Sequence, residues 1–121
     1  MKTVDACVED VIKRGLEDWV QATEIAAVSR AIGNVSAEAS VIDLSLRTIR
    51  AVVARELMTI GDVNHDGFQA WDLEIEVALA RVERAWIALG RDPRLGEICW
   101  LCNTNAGDER ARTALALQQT P

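Results

Sequence analysis

Asp62-Val63-Asn64-His65-Asp66-Gly67 places oxygen donors at alternate positions and ends them in a glycine. That spacing suits calcium, because carboxylate and amide oxygens can replace the ion's water while the glycine allows a sharp turn. A calcium loop of this kind also needs a bidentate carboxylate at its twelfth position. That position is Leu73, with Asp72 and Glu74 on either side of it, and the eighth position, ordinarily apolar, is Gln69. The expectation is therefore a hydrophilic turn that uses Asn, Asp and Gly for its backbone geometry, with no metal ligand set.

Other residues that could do chemistry are few. His65 is the only histidine and the simplest general base near neutral pH, but the sequence sets no Ser or Cys nucleophile beside it. Cys99-Trp100-Leu101-Cys102 is a single CxxC without a second pair. A zinc site would want further Cys or His partners. Side chains in ICWLC, read as a strand, alternate faces, so Cys99 and Cys102 point apart and are expected to be core residues. There is no Gly-rich phosphate loop, no HExxH and no nucleophile elbow. No catalytic residue and no cofactor is expected.

Charge is distributed unevenly. From Glu56 to Ala80 the chain holds Glu56, Asp62, Asp66, Asp72, Glu74 and Glu76, and no Lys or Arg. The net charge of the whole chain is −6, so this one segment accounts for the excess. A focused negative field attracts a cation or a basic protein and repels phosphate. Phe68 and Trp71 lie within the segment; Phe68 could anchor a partner, and Trp71 is expected to fold back on the core. Asp62, Asp66, Phe68, Asp72, Glu74 and Glu76 are the candidate partner-binding residues. Arg47, Thr48 and Arg50 form a second candidate set, for DNA. A pI near 4.7 opposes that set, since phosphate contacts supply most nonspecific affinity.

The elements that must position these residues follow from periodicity. Half the residues are apolar and 26% are charged, a globular balance. Val4, Cys7, Val8, Val11 and Ile12 have helical spacing. Trp19-Val20-Gln21 reads as extended, and Thr23 as the cap of a second helix that stops at Gly33. Residues 37 to 57 are helical by pattern, with an apolar stripe too wide for one face near Asp43, so a break is expected there. Met58-Thr59-Ile60 reads as a short strand and residues 61 to 70 as loop. Asp72 opens a helix with Glu74 and Glu76 in its first turn, where the dipole favours acids, and Gly90 and Pro93 stop it. Residues 97 to 103 form a strand, the tail after Asn103 is expected to start with a turn and end as a short helix, and the last four residues fray. No window is long and apolar enough to span a membrane, and the start lacks the apolar core of a signal peptide. The expected location is the cytoplasm.

WVQATEIAAVSRAIG, from Trp19 to Gly33, followed by LSLRTIRAVVARELMTIGDV, from Leu44 to Val63, resembles the core of winged helix-turn-helix domains. ICWLCNTNAGDERA, from Ile98 to Ala111, is similar to the strand and turn that close such a domain. The likeness covers residues 4 to 62 and 97 to 112 and departs from the pattern where a helix from Asp72 to Leu89 interrupts the wing. It implies one α+β, mostly α domain over residues 1–121. Four main helices and a small antiparallel β-hairpin would build it, with an acidic loop and inserted helix over 61–92. It also implies that Arg47, Thr48 and Arg50 sit on the recognition helix.

The expected function is binding without catalysis. A nuclease must present a cationic cleft to phosphate, and a compact acidic patch can occupy that cleft and exclude nucleic acid. The leading expectation is a small acidic protein that neutralises a basic partner, an immunity protein or antitoxin against a nuclease-type toxin domain. The alternative is a winged-helix transcription regulator, and the third is a structural or adaptor module. The oligomeric state is left open.

Overall fold

The computed structural model describes residues 2–119. Chain order is α1 (Lys2–Arg14), β1 (Val20–Gln21), α2 (Ala22–Ala31), α3 (Glu38–Ala54), β2 (Met58–Asn64), β3 (Gly67–Ala70), α4 (Ile75–Leu89), β4 (Trp100–Asn103) and α5 (Asn105–Gln118). The class is α+β and mostly α. Among the described residues there are five helices where four main ones are expected, and the hairpin belongs to a four-stranded sheet. The fifth helix starts where the Thr104 hydroxyl accepts the Gly107 N–H at 3.1 Å, a side-chain cap that satisfies one orphan donor. Of the tail expected to fray, residues 120 and 121 lie outside the described residues, and Gln118 is helical.

The sheet is antiparallel throughout, in the order β1-β4-β2-β3. Its inner face is set by the register, which puts Val20 opposite Leu101 and Leu101 opposite Ile60. All three are buried. One core joins them to the helices, running from Val4 on α1 to Ala111 on α5, with Trp86 as its largest fully buried side chain.

Helix α3 sits at the centre. It runs unbroken from Glu38 to Ala54, so the break expected near Asp43 does not occur. Val41, Ile42, Leu44, Ser45, Thr48, Ile49 and Val52 are all buried along it. The arc is too wide for one face because α1, α2 and α4 all pack against this helix. The stripe was measuring the number of neighbours and not a kink. Ser29 on α2 and Ser45 on α3 share a hydrogen bond of 2.8 Å inside that packing, which satisfies both buried hydroxyls.

Three further expectations are corrected. Residues 61 to 70 are a β-hairpin, with Asn64 opposite Gly67 across a turn at His65-Asp66. The Asn64 Oδ1 accepts the Asp66 N–H at 2.8 Å, and Gly67 takes a φ of 103° that closes the turn at no steric cost. Turn residues at the tip hid the flanking strands. Asp72 does not open α4. The Trp71 N–H continues the ladder to the Ile60 carbonyl at 3.0 Å, the chain stays extended through Glu74, and α4 starts at Ile75. Gly90, with φ 67°, ends that helix as expected. Thr23 does not cap α2, which starts at Ala22 with Gln21 at the cap position: the Glu24 carboxylate accepts the Gln21 N–H at 2.9 Å.

Candidate functional site

The five acids among the partner-binding candidates divide by local charge. Asp62 lies on β2, exposed, with Oδ2 3.7 Å from the Arg81 guanidinium of α4. That guanidinium also lies 3.9 Å from the Trp71 ring centroid, where the electron-rich ring face attracts a cation. Arg81 therefore fastens α4 to the hairpin, and Trp71 turns inward as expected. Glu76 is held by both terminal nitrogens of Arg50 on α3, and this pairing pulls its carboxyl below the usual range. Asp62 and Glu76 are thus partly neutralised by cations from outside the acidic segment.

Asp66, Asp72 and Glu74 are different. Asp66 occupies the exposed hairpin turn, and among the described residues it is paired with no Lys or Arg; the His65 imidazole lies 3.5 Å from it. Asp72 and Glu74 are exposed on the extended link between β3 and α4, and among the described residues neither is paired with a basic side chain. With Glu56, which is also exposed and among the described residues paired with no basic side chain, these three carry the free negative field of the segment.

Phe68 is half-buried. Its ring packs against Trp19 with centroids 6.4 Å apart at a 35° tilt. Trp19 had drawn no attention beyond an extended tripeptide, yet it lies on the outward face of the sheet. The register pairs Gln21 with Trp100, Gly61 with Trp100, Thr59 with Cys102 and Val63 with Phe68. Directly opposed residues share a face, so Trp100, Cys102, Val63 and Phe68 stand opposite to the buried Leu101 and Ile60. The signal for this was the alternation around Val20 and Leu101, which sends every second residue outward.

In the second candidate set one residue is buried and both arginines are paired with acids. Thr48 is buried, and its hydroxyl donates to the Leu44 carbonyl at 2.9 Å, so it offers solvent no group. Arg47 pairs with Asp43 one turn back, at 3.1 Å, and Arg50 is engaged by Glu76. Helix α4 packs along α3 and brings Glu76 and Glu83 to the groove that Arg47 and Arg50 also line.

The cysteines are free thiols. Cys99 is buried, and burial pushes its thiol up to about 12. Cys7 and Cys102 are raised for the same reason. A high thiol pKa means little thiolate and slow reaction. Among the described residues, no group of three or more His, Cys, Asp or Glu side chains is placed to hold a metal ion, and no helix is long and apolar enough to cross a membrane.

No family model, curated protein or solved structure matches the chain.

Proposed function

We propose that this is a small acidic binding protein of the cytoplasm that neutralises a basic protein partner, in the manner of an immunity protein or antitoxin against a nuclease-type toxin. The observation that carries this reading is the exposed trio Asp66, Asp72 and Glu74, which no Arg or Lys balances, in a segment that has neither residue type. The three lie along one hairpin tip and the link that follows it, so they act on a partner as a summed field. Such a field accelerates encounter with a cationic cleft and loses its effect as salt screens it. The chain acts by occupying that cleft, and no catalytic step is assigned to it.

The test begins with a pull-down from the native host and measures binding kinetics against the captured protein at two salt concentrations. Replacing Asp66 and Asp72 with Asn and Glu74 with Gln slows association and flattens its salt dependence, with circular dichroism unchanged. Association as fast as the parent's at low salt would remove this reading.

The winged-helix likeness gains one specific support. Omitting β3 and α4, the chain order α1-β1-α2-α3-β2-β4 follows the succession of elements on which the likeness rests. This supports the fold proposal, and a fold does not carry a function with it.

A further inference from the structure

β3 forms one edge of the sheet, and the hydrogen-bonding pattern shows which of its backbone groups are open there. β3 ends the strand order, and among the described residues no further strand pairs with it. The bond from the Trp71 N–H to the Ile60 carbonyl marks those two as a hydrogen-bonded pair. Hydrogen-bonded and non-bonded pairs alternate along an antiparallel ladder. Counting back through the register, Gln69 with Asp62 and Gly67 with Asn64 are bonded pairs, while Ala70 with Gly61 and Phe68 with Val63 are not. The N–H and C=O groups of Phe68 and Ala70 therefore point away from β2, into the space beside the sheet.

Proteins commonly guard such an edge with Lys or Pro. The four residues Gly67, Phe68, Gln69 and Ala70 include neither. The opposite edge differs: β1 has two residues, and the Gln21 side chain there accepts the Gly96 N–H at 2.6 Å. The open edge is also framed by one sign of charge. Asp66 precedes it, and Asp72 and Glu74 follow it.

We infer that the basic partner docks by adding an extended segment to the edge of β3, with its main chain hydrogen-bonded to Phe68 and Ala70. Lys or Arg side chains of that segment lie against Asp66 and Asp72. An added strand takes its affinity from main-chain bonds and its specificity from alternate side chains, and the carboxylates at both ends select a cationic sequence. This rests on the acidic-binding reading above and adds to it a mode of attachment.

A capped peptide of alternating Lys and Val, roughly ten residues long so that it spans the strand and both flanking acids, is the probe. A Lys–Pro peptide of equal charge is the control, because proline removes the donors. The expected result is saturable binding of the Lys–Val peptide, protection of the Phe68 and Ala70 amides from hydrogen exchange, and little binding of the Lys–Pro peptide. Ala70→Pro deletes an outward N–H and leaves the β2 ladder intact, so binding weakens by about tenfold or more while circular dichroism is unchanged. The exchange measurement needs no variant and decides the matter if Ala70→Pro does not fold. Equal binding of both peptides, unprotected Phe68 and Ala70 amides, or full binding by a folded Ala70→Pro chain each overturns strand addition. So does no binding of the Lys–Val peptide at millimolar concentration. In each case the acidic field is judged separately by the Asp66, Asp72, Glu74 variant and its kinetics.

Discussion

Arg50 on α3 and Glu76 on α4 form a two-pronged ion pair, with the Nη2–Oε1 contact at 2.9 Å. One residue came from the DNA-contact set and the other from the acidic set, and the fold spends them on each other. The pair places α4 along the helix that a winged-helix regulator would lay in the major groove.

This relationship predicts that the chain does not bind random duplex DNA at physiological salt. Arg47 and Arg50 are both paired with acids, and the net charge of −6 opposes phosphate. Fluorescence anisotropy with a labelled duplex checks it. Binding at low micromolar protein that disappears in Arg47→Glu plus Arg50→Glu would make the regulator the better account.

The second prediction concerns acid. Glu97 accepts both terminal nitrogens of Arg91, at 2.8 and 3.0 Å, and the Arg94 N–H at 2.7 Å. These bonds pull its carboxyl from the ordinary 4.5 down to about 2, the Arg91 contact first. A carboxyl whose folded pKa is depressed adds stability above its unfolded pKa, and that share is lost as pH falls through the folded value. The window for Glu97 therefore lies between about 4.5 and about 2. Urea midpoints measured across it fall less steeply for Glu97→Gln than for the parent. Parallel curves would show that the Arg91 contact has no weight in solution.

How much of this was legible in the sequence varied with the kind of signal. Val4, Cys7, Val8, Val11 and Ile12 announced α1 because one buried stripe has one period. Gly90 announced the end of α4 because only a residue tolerant of positive φ suits that position. Helix α3 misled because three neighbours bury three arcs, which mimics a broken period. The hairpin was missed because Asn64, Asp66 and Gly67 are turn residues, while the pairing of Val63 with Phe68 is only visible in register. The acidic segment was found by counting charges, but counting could not show that Arg50 and Arg81 return from other elements to Glu76 and Asp62.

The third prediction tests the end of α3. The Glu56 N–H bonds the Val53 carbonyl and the Leu57 N–H bonds the Val52 carbonyl, at 3.0 and 2.9 Å. This is a Schellman arrangement, and it puts Glu56 in the left-handed position at φ 58°. That conformation costs an L-residue about 1–2 kcal/mol, and the extra freedom of glycine in the unfolded chain returns about 0.5–1 kcal/mol. Glu56→Gly should therefore stabilise by roughly 0.5–1 kcal/mol, read as a higher urea midpoint at constant slope. Glu56→Ala removes the same charge and keeps the strain, so it should show no such gain. A lower midpoint for the glycine variant would mean that the Glu56 side chain contributes more than its backbone costs.

The fourth prediction separates the aromatic pair from the acids. Trp19 is 36% exposed, and its ring lies 6.4 Å from that of Phe68, so each ring limits the other's movement. An aromatic contact of this geometry contributes about 0.5–1.5 kcal/mol beyond the area it buries. Trp19→Ala and Phe68→Ala should each lower stability by an amount in that range plus the loss of buried area. The double variant should lose less than their sum, because the shared contact can be lost only once. Phe68 also lies on the edge strand β3, next to the place of an added strand. Once the partner is captured, Phe68→Ala should raise its dissociation rate and leave association nearly unchanged, since rings act after encounter and charges act before it. Asp66→Asn should show the opposite split. If Phe68→Ala slows association and spares dissociation, the ring is not an anchor and its role ends at Trp19. If neither variant changes either rate, the partner docks on another surface of the chain.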